Sequence, residues 1–156
     1  MITLQCLLKF QNKQDKEIVL DLMRRFSSAV RYEYKRLLKG EKRKDLKKHL
    51  PKLFNINTRY SDDAIFLAQS IISSCKEREQ NPKKLIFGSR NLFEQLSRDH
   101  LTGKIKEKLK VKWEESRQGN LYSRGDKSKQ GNLNLRLQWI NDKLYLRINI
   151  GDRQYI

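Results

Sequence analysis

Metal-assisted cleavage of a phosphodiester needs two or more carboxylates converging on divalent ions, and this chain offers few acids in such a pattern. Asp62 and Asp63 follow Ser61 directly, where acids complement the start of a helix. Glu114 and Glu115 sit among lysines at a helix end and read as solvated charge pairs. Asp142 and Asp152 fall in turns, which Asp favours for backbone reasons. His49 and His100 have neither a neighbouring carboxylate nor a metal-ligand spacing, and no phosphate-cradling G-x-x-x-x-G-K-[ST] loop occurs. The expectation is a chain with no catalytic residue, no metal ligand and no cofactor of its own.

What the chain has in excess is cations. Thirty-five Lys and Arg oppose 18 Asp and Glu, a formal charge of +17 over 156 residues. The excess gathers in residues 31–52 and 98–129. A strongly like-charged fold repels itself, so a polyanion is the natural partner, with counterion release from a phosphate backbone supplying affinity. Arg24, Arg25, Arg31, Lys35 and Arg36 fall partly on the polar face of the first long helix, placed to track such a backbone; a merely solvated face is the alternative. In residues 117–132, glycines let backbone amides approach an anion, while Arg117, Arg124, Lys127 and Lys129 add charge. Asn132, Asn134 and Arg136 extend a polar rail from it, although a plain flexible linker fits the same composition. Tyr145, beside Arg147, is either a stacking surface for a base or an ordinary exposed strand aromatic.

These residues need elements to position them. Ile2, Leu4, Cys6, Leu8 and Phe10 alternate with polar residues and predict a half-buried strand. From Asp15, as cap, a helix follows with Val19, Leu22, Met23, Phe26, Val30, Tyr34 and Leu37 as its stripe, ending at Gly40. A basic helical piece over residues 41–54 contains Pro51. A third helix over residues 61–78, capped by Ser61, carries Ala64, Ile65, Ala68, Ile71, Ile72 and Cys75. A brief helix over residues 91–98 and a basic one over 102–116 come next. Leu133, Leu135, Leu137 and Trp139 then alternate up to a turn at Asn141 and Asp142, and Leu144, Leu146, Ile148 and Ile150 alternate after it. A two-residue turn there sets Trp139 opposite Leu144, a β-hairpin. A last strand begins at residue 153.

A strand at one end and a hairpin at the other need each other to close a core. The expected fold is therefore α+β: a small antiparallel β-domain, residues 1–12 and 118–156, interrupted by a helical insertion over 13–117. Cys6 and Cys75 read as small buried hydrophobes in a reducing compartment. No apolar run reaches the roughly 18–20 residues of a membrane span, so the expectation is a soluble cytoplasmic protein with no membrane partner.

The order of segments resembles a known family. Asn57-Thr58-Arg59-Tyr60-Ser61-Asp62-Asp63-Ala64, then Ser70-Ile71-Ile72-Ser73-Ser74, then Phe87-Gly88-Ser89-Arg90-Asn91-Leu92-Phe93 resemble the N-terminal part of TnpB-type proteins and the related type V CRISPR effectors. Tyr122-Ser123-Arg124-Gly125-Asp126 and Gly131-Asn132-Leu133-Asn134-Leu135-Arg136-Leu137 resemble the return from that family's helical recognition block into its β-barrel, or wedge, domain. The resemblance implies the binding portion of an RNA-guided DNA endonuclease, associated with a transposon and with the prokaryotic nucleoid. Its partners would be guide RNA, target DNA and a C-terminal nuclease part or another protein chain. Sequence would be read by base pairing, the protein holding shape and backbone. It further implies nucleic-acid contacts from Asn57, Arg59, Tyr60, Ser89 and Arg90, with the helix entered at residues 59–63 approaching the target-adjacent duplex, and contacts from Ser123 and the 117–136 segment to RNA. The catalytic RuvC-like acids and the zinc-binding cysteines of that family lie downstream, so the expected chain is a fragment or a shortened relative that binds without cutting. A stand-alone basic RNA- or DNA-binding module of a mobile element or ribonucleoprotein is the alternative.

Overall fold

Residues 13–38 place an apolar side chain at every third or fourth position, and in the computed structural model they form one helix, α1 (Lys13–Leu38). The structure describes residues 5–98, 102–126, 128, 131–151 and 154–156. Asn12 caps α1, its side chain accepting from the Asp15 amide at 2.7 Å, so Asp15 lies inside the first turn and is not the cap. Gly40, at φ +84°, takes the left-handed conformation that ends the run.

Helix α2 (Arg43–Phe54) continues through Pro51, which leaves the Lys47 carbonyl without its usual intrahelical donor. Asn55, left-handed at φ 49°, stops it, and Arg25 donates to the Asn55 carbonyl. Helix α3 (Thr58–Glu77) then starts four residues earlier than a cap at Ser61 would have it. Its cap is Asn57, which accepts from the amides of Arg59 and Tyr60 at 3.0 and 2.8 Å. Ser61 is buried and donates back to the Asn57 carbonyl at 3.0 Å.

Helices α1, α2 and α3 share one core. Leu22, Phe26 and Ala29 from α1, Leu46 and Leu50 from α2, and Tyr60, Ala64, Ile65 and Ala68 from α3 are buried together. Phe26 and Tyr60 meet edge to face at 6.1 Å. A short 3₁₀ turn (Pro82–Lys84) leads on to α4 (Arg90–Leu96) and α5 (Gly103–Ser116), which bury no residue. Phe93 and Trp113 hold this outlying pair together at 5.6 Å. Gly88 ties it inward: at φ +89° a Cβ there would meet Ser116 Oγ at 2.6 Å.

The sheet is a meander, β1 (Leu135–Ile140), β2 (Lys143–Gly151) and β3 (Gln154–Tyr155), antiparallel with β2 central. Trp139 pairs with Leu144 across the turn. Asn141 and Asp142 both have positive φ, 47° and 57°, as a tight hairpin turn of matching twist requires. Ile148 joins the helical core, and Leu135, Leu146 and Ile150 pack against it.

Two expectations change. Residues 5–10 form no strand: Leu7 is 85% exposed, Cys6 is exposed, and only Phe10 reaches the core. Ile2 and Leu4 lie outside the described residues. Alternation alone does not make a strand, because a strand also needs a neighbour to accept its backbone hydrogen bonds. Second, among the described residues the sheet is open and closes no barrel. The helical core, rather than a partner strand, covers the inner half of the hairpin. Among the same residues no helix is long and apolar enough to cross a membrane.

Candidate nucleic-acid interface

The segment leading into the sheet folds back on the start of α3. Asp126 and Gly131 bridge it antiparallel, N–O distances 2.9 and 3.1 Å. Asn132 turns the chain into β1, its side-chain oxygen accepting from the amides of Asn134 and Leu135 at 2.9 and 3.1 Å. Its amide group donates to the Ser123 carbonyl at 2.9 Å. Beneath these, one relay of side chains joins helix to strand. Asn57 donates to Asn134 at 2.9 Å, Asn134 to Ser123 Oγ at 3.0 Å, and Ser123 Oγ to Asp63 at 3.0 Å. Asn134 and Asp63 are both buried, so each needs these partners.

Arg124 completes the junction. Its backbone amide and its Nε both donate to Asp63, at 3.3 and 3.1 Å. Its guanidinium lies 3.6 Å over the Phe66 ring, itself stacked on Tyr122 at 6.4 Å. Asp62 beside it accepts from Arg43 at 2.6 Å and pairs with Lys47 at 3.3 Å and Arg124 at 3.9 Å. Burial works to raise the Asp62 carboxyl, but the hydrogen bonds and charges of Arg43 and Lys47 outweigh it and hold the group below its ordinary value. A cleft of about 640 Å³ opens here, lined by Lys47, Arg59, Asp62, Asp63 and Arg124 among others. Three of the sequence blocks, 57–64, 122–126 and 131–137, thus meet at one place.

The meeting changes what these residues do. Asp62 and Asp63 lie in the second turn of α3 as ion-pair partners rather than complementing its N-terminus. Asn57, Ser123, Asn132 and Asn134 spend their polar atoms on one another, on Asp63 and on the backbone at the starts of α3 and β1. Tyr60 is wholly buried and belongs to the core rather than to a surface. Burial, with the Asp63 charge adding, raises its hydroxyl, which has no hydrogen-bond partner among the described residues. Nothing in the linear pattern announces Phe66 as the floor beneath Arg124, since aromatic and cation are 58 positions apart.

The remaining candidates divide between spent and unspent. Arg25 pairs with Asp21 at 2.8 Å, Arg36 with Glu41 at 2.8 Å and Arg90 with Glu94 at 2.8 Å. Arg31 donates to the Arg117 carbonyl and to Ser28 at 2.9 Å, and burial followed by the Arg117 charge lowers its pKa. Arg117 covers the Trp113 ring at 3.8 Å, and Arg147 the Tyr155 ring at 4.3 Å. Ser89 caps α4, accepting from the Leu92 amide at 3.4 Å. Arg24, Lys35 and Arg136 are exposed, Arg59 and Tyr145 half-buried. Lys127 and Lys129 lie outside the described residues.

The largest unspent charge is on two helices. Lys42, Lys44, Lys48 and Lys52 on or beside α2, and Lys104, Lys106, Lys108, Lys110 and Lys112 on α5, are all exposed. None of them is ion-paired among the described residues. Among those residues, too, no group of three or more His, Cys, Asp or Glu is placed to hold a metal ion.

Compared with known proteins, residues 1–156 match the family described as the SSO2105 N-terminal domain. No curated protein and no solved structure matches the chain.

Proposed function

The chain belongs to the SSO2105 N-terminal domain family, and we propose that it binds nucleic acid through the phosphate backbone, without cutting it. The observation that carries this is the uncompensated charge: +17 overall, with nine exposed lysines on or beside α2 and α5 that make no ion pair among the described residues. Lysines held on helices at fixed spacing release counterions on meeting a phosphate chain, which drives association. Arg124, Ser123, Asn132 and Asn134 have a different part: they fix the angle between helices and sheet. The lysine helices, not the 117–136 segment, are then the main contact.

Within this proposal the domain is the recognition-and-wedge portion of a TnpB-like RNA-guided nuclease, its open sheet one wall of a wedge barrel. Its partners are guide RNA, target DNA and a catalytic part or second chain. The junction of blocks 57–64, 122–126 and 131–137 supports this reading, since the segments that carry the resemblance pack against one another. The test is to recover the chain from its cells and sequence the bound RNA. One noncoding species with a constant scaffold is expected; a mixed pool overturns the guided reading. Affinity of the purified chain for structured RNA should fall at least about ten-fold between low and moderate salt. A flat salt response overturns phosphate binding altogether.

A further inference from the structure

Two arginines meet where the chain leaving α5 reaches α1, and no acid pairs with either among the described residues. Arg31 on α1 donates to the Arg117 carbonyl and, at 2.9 Å, to Ser28 Oγ. Both acceptors are neutral, so the charge stays uncompensated. Burial, then the Arg117 charge, lowers the Arg31 pKa, as expected of two cations brought together away from water. Acceptors are short here as well. Arg117 Nε and Trp113 Nε1 are buried with no hydrogen-bond partner among the described residues. The pair is also held in place: the Arg117 guanidinium lies 3.8 Å over the Trp113 ring, and a Cβ added at Gly88 would meet Arg117 Cγ at 2.8 Å. Arg31, Trp113 and Arg117 are only half-buried, so solutes still reach them.

A cation at the end of α5 accounts for the bond from Arg31 to the Arg117 carbonyl. It does not account for a second cation fixed at the same place, where each charge destabilises the other. A partly buried cation calls for an anion, and a buried N–H calls for an acceptor. One kind of group supplies both: an oxyanion, whose oxygens match the planar donor forks of two guanidiniums. The surroundings favour a phosphate chain as its source. Arg24 and Lys35 are exposed and share a stripe of α1 with Arg31, at spacings of seven and four. On the other side, the exposed lysines of α5 lead up to Arg117.

We infer that Arg31 and Arg117 form a phosphate site, seating one phosphate group between their guanidiniums beside the Trp113 ring. That this group belongs to a bound strand rests on the nucleic-acid reading above; a free phosphate has the same chemistry. The lysines of α2 and α5 attract a strand along its length, whereas this site fixes one position of it.

Trp113 reports on the site. In full-length Trp139→Phe it is the only tryptophan left, and its emission is followed during titration with inorganic phosphate, with sodium chloride of equal ionic strength, and with an abasic oligonucleotide. Phosphate and the oligonucleotide should each give a saturable change, and chloride none. Adding Arg31→Gln, which keeps a donor for the Arg117 carbonyl but drops the charge, should weaken phosphate binding about ten-fold or more. It should also lower the log–log salt slope for structured RNA by about one. Phosphate should raise the melting temperature of the parent beyond the chloride control, and should not do so in Arg31→Gln. Equal responses to phosphate and chloride overturn the site, a comparison that needs only the folded parent. So does a phosphate response that survives Arg31→Gln with unchanged circular dichroism. A response to phosphate with none to the oligonucleotide supports the site and overturns the strand as its source. If phosphate binds but neither the oligonucleotide nor structured RNA does, the nucleic-acid reading fails and the site stands.

Discussion

Arg124 and the exposed lysines Lys42, Lys44 and Lys48 on or beside α2 carry the same charge but differ in what holds them. Arg124 is held by Asp63, Asp62 and the Phe66 ring. Lys42, Lys44 and Lys48 are exposed and make no ion pair among the described residues. A cation with a fixed internal partner contributes to the angle at which two elements meet. A cation without one adds to the field that a polyanion feels. The distinction separates structural from binding charge in a chain where both are abundant.

Removing Asp63 strains the comparison most. Asp63→Ala leaves Arg124 and Ser123 without their acceptor at a buried position and should cost about 3 kcal/mol of stability. Thermal unfolding should fall by roughly 6–12 °C, while RNA affinity of the folded protein holds. An unchanged melting temperature would mean that the junction is not what joins helix to sheet.

Next is the lysine surface. Changing Lys42, Lys44, Lys48 and Lys52 together to Ala should weaken RNA binding about thirty-fold at moderate salt and flatten the log–log salt slope by roughly three. Each change should move stability by less than about 0.5 kcal/mol. Arg124→Ala should do the reverse, lowering stability by about 1–2 kcal/mol and leaving the slope alone. A slope that falls with Arg124 and not with the lysines would invert the assignment.

A third kind of charge sharpens the contrast. Glu33 on α1 is 0% exposed, and neither of its oxygens has a hydrogen-bond partner among the described residues. Burial pushes its carboxyl up to about 7, the Glu41 charge adding and Arg36 opposing. Unfolded, the same group titrates near about 4.3. Folding therefore pays nothing for Glu33 below that value, and the cost grows as pH rises and is complete above about 7. Glu33→Gln should stabilise the fold at pH 8 by about 1–2 kcal/mol and change little at pH 4. Denaturant unfolding at the two pH values measures it; equal effects at both would place a partner on the carboxylate.

The smallest effect concerns the outlying pair α4 and α5. Trp113→Leu loses the stack under Arg117 and the contact with Phe93, a loss of about 0.5–1.5 kcal/mol. Amides of α5 should exchange faster while those of α1 stay protected. Uniform acceleration would make the pair part of the main core.

Local pattern was enough for much of this molecule. The stripe from Val19 to Leu37, the Asn141–Asp142 turn and the Trp139–Leu144 register depend on neighbours in the chain, and spacing reports neighbours faithfully. Helix starts were less legible: Asn57 and Ser61 are both good caps, and it is Asn57 that accepts from the first amides of α3 while its amide group donates to Asn134, 77 residues away. Residues 5–10 show the limit of alternation, which sets two faces but cannot supply the strand to pair with.

From composition alone came the charge of +17, because it is a sum over residue types. Only the tertiary structure decided which cations are spent. Coulombic pairing needs a few ångströms in space, and Asp62, Asp63, Phe66 and Arg124 reach it across some sixty positions of chain. It likewise decided where the apolar face of the hairpin stays uncovered, since burial depends on what packs above a residue and not on the residue itself.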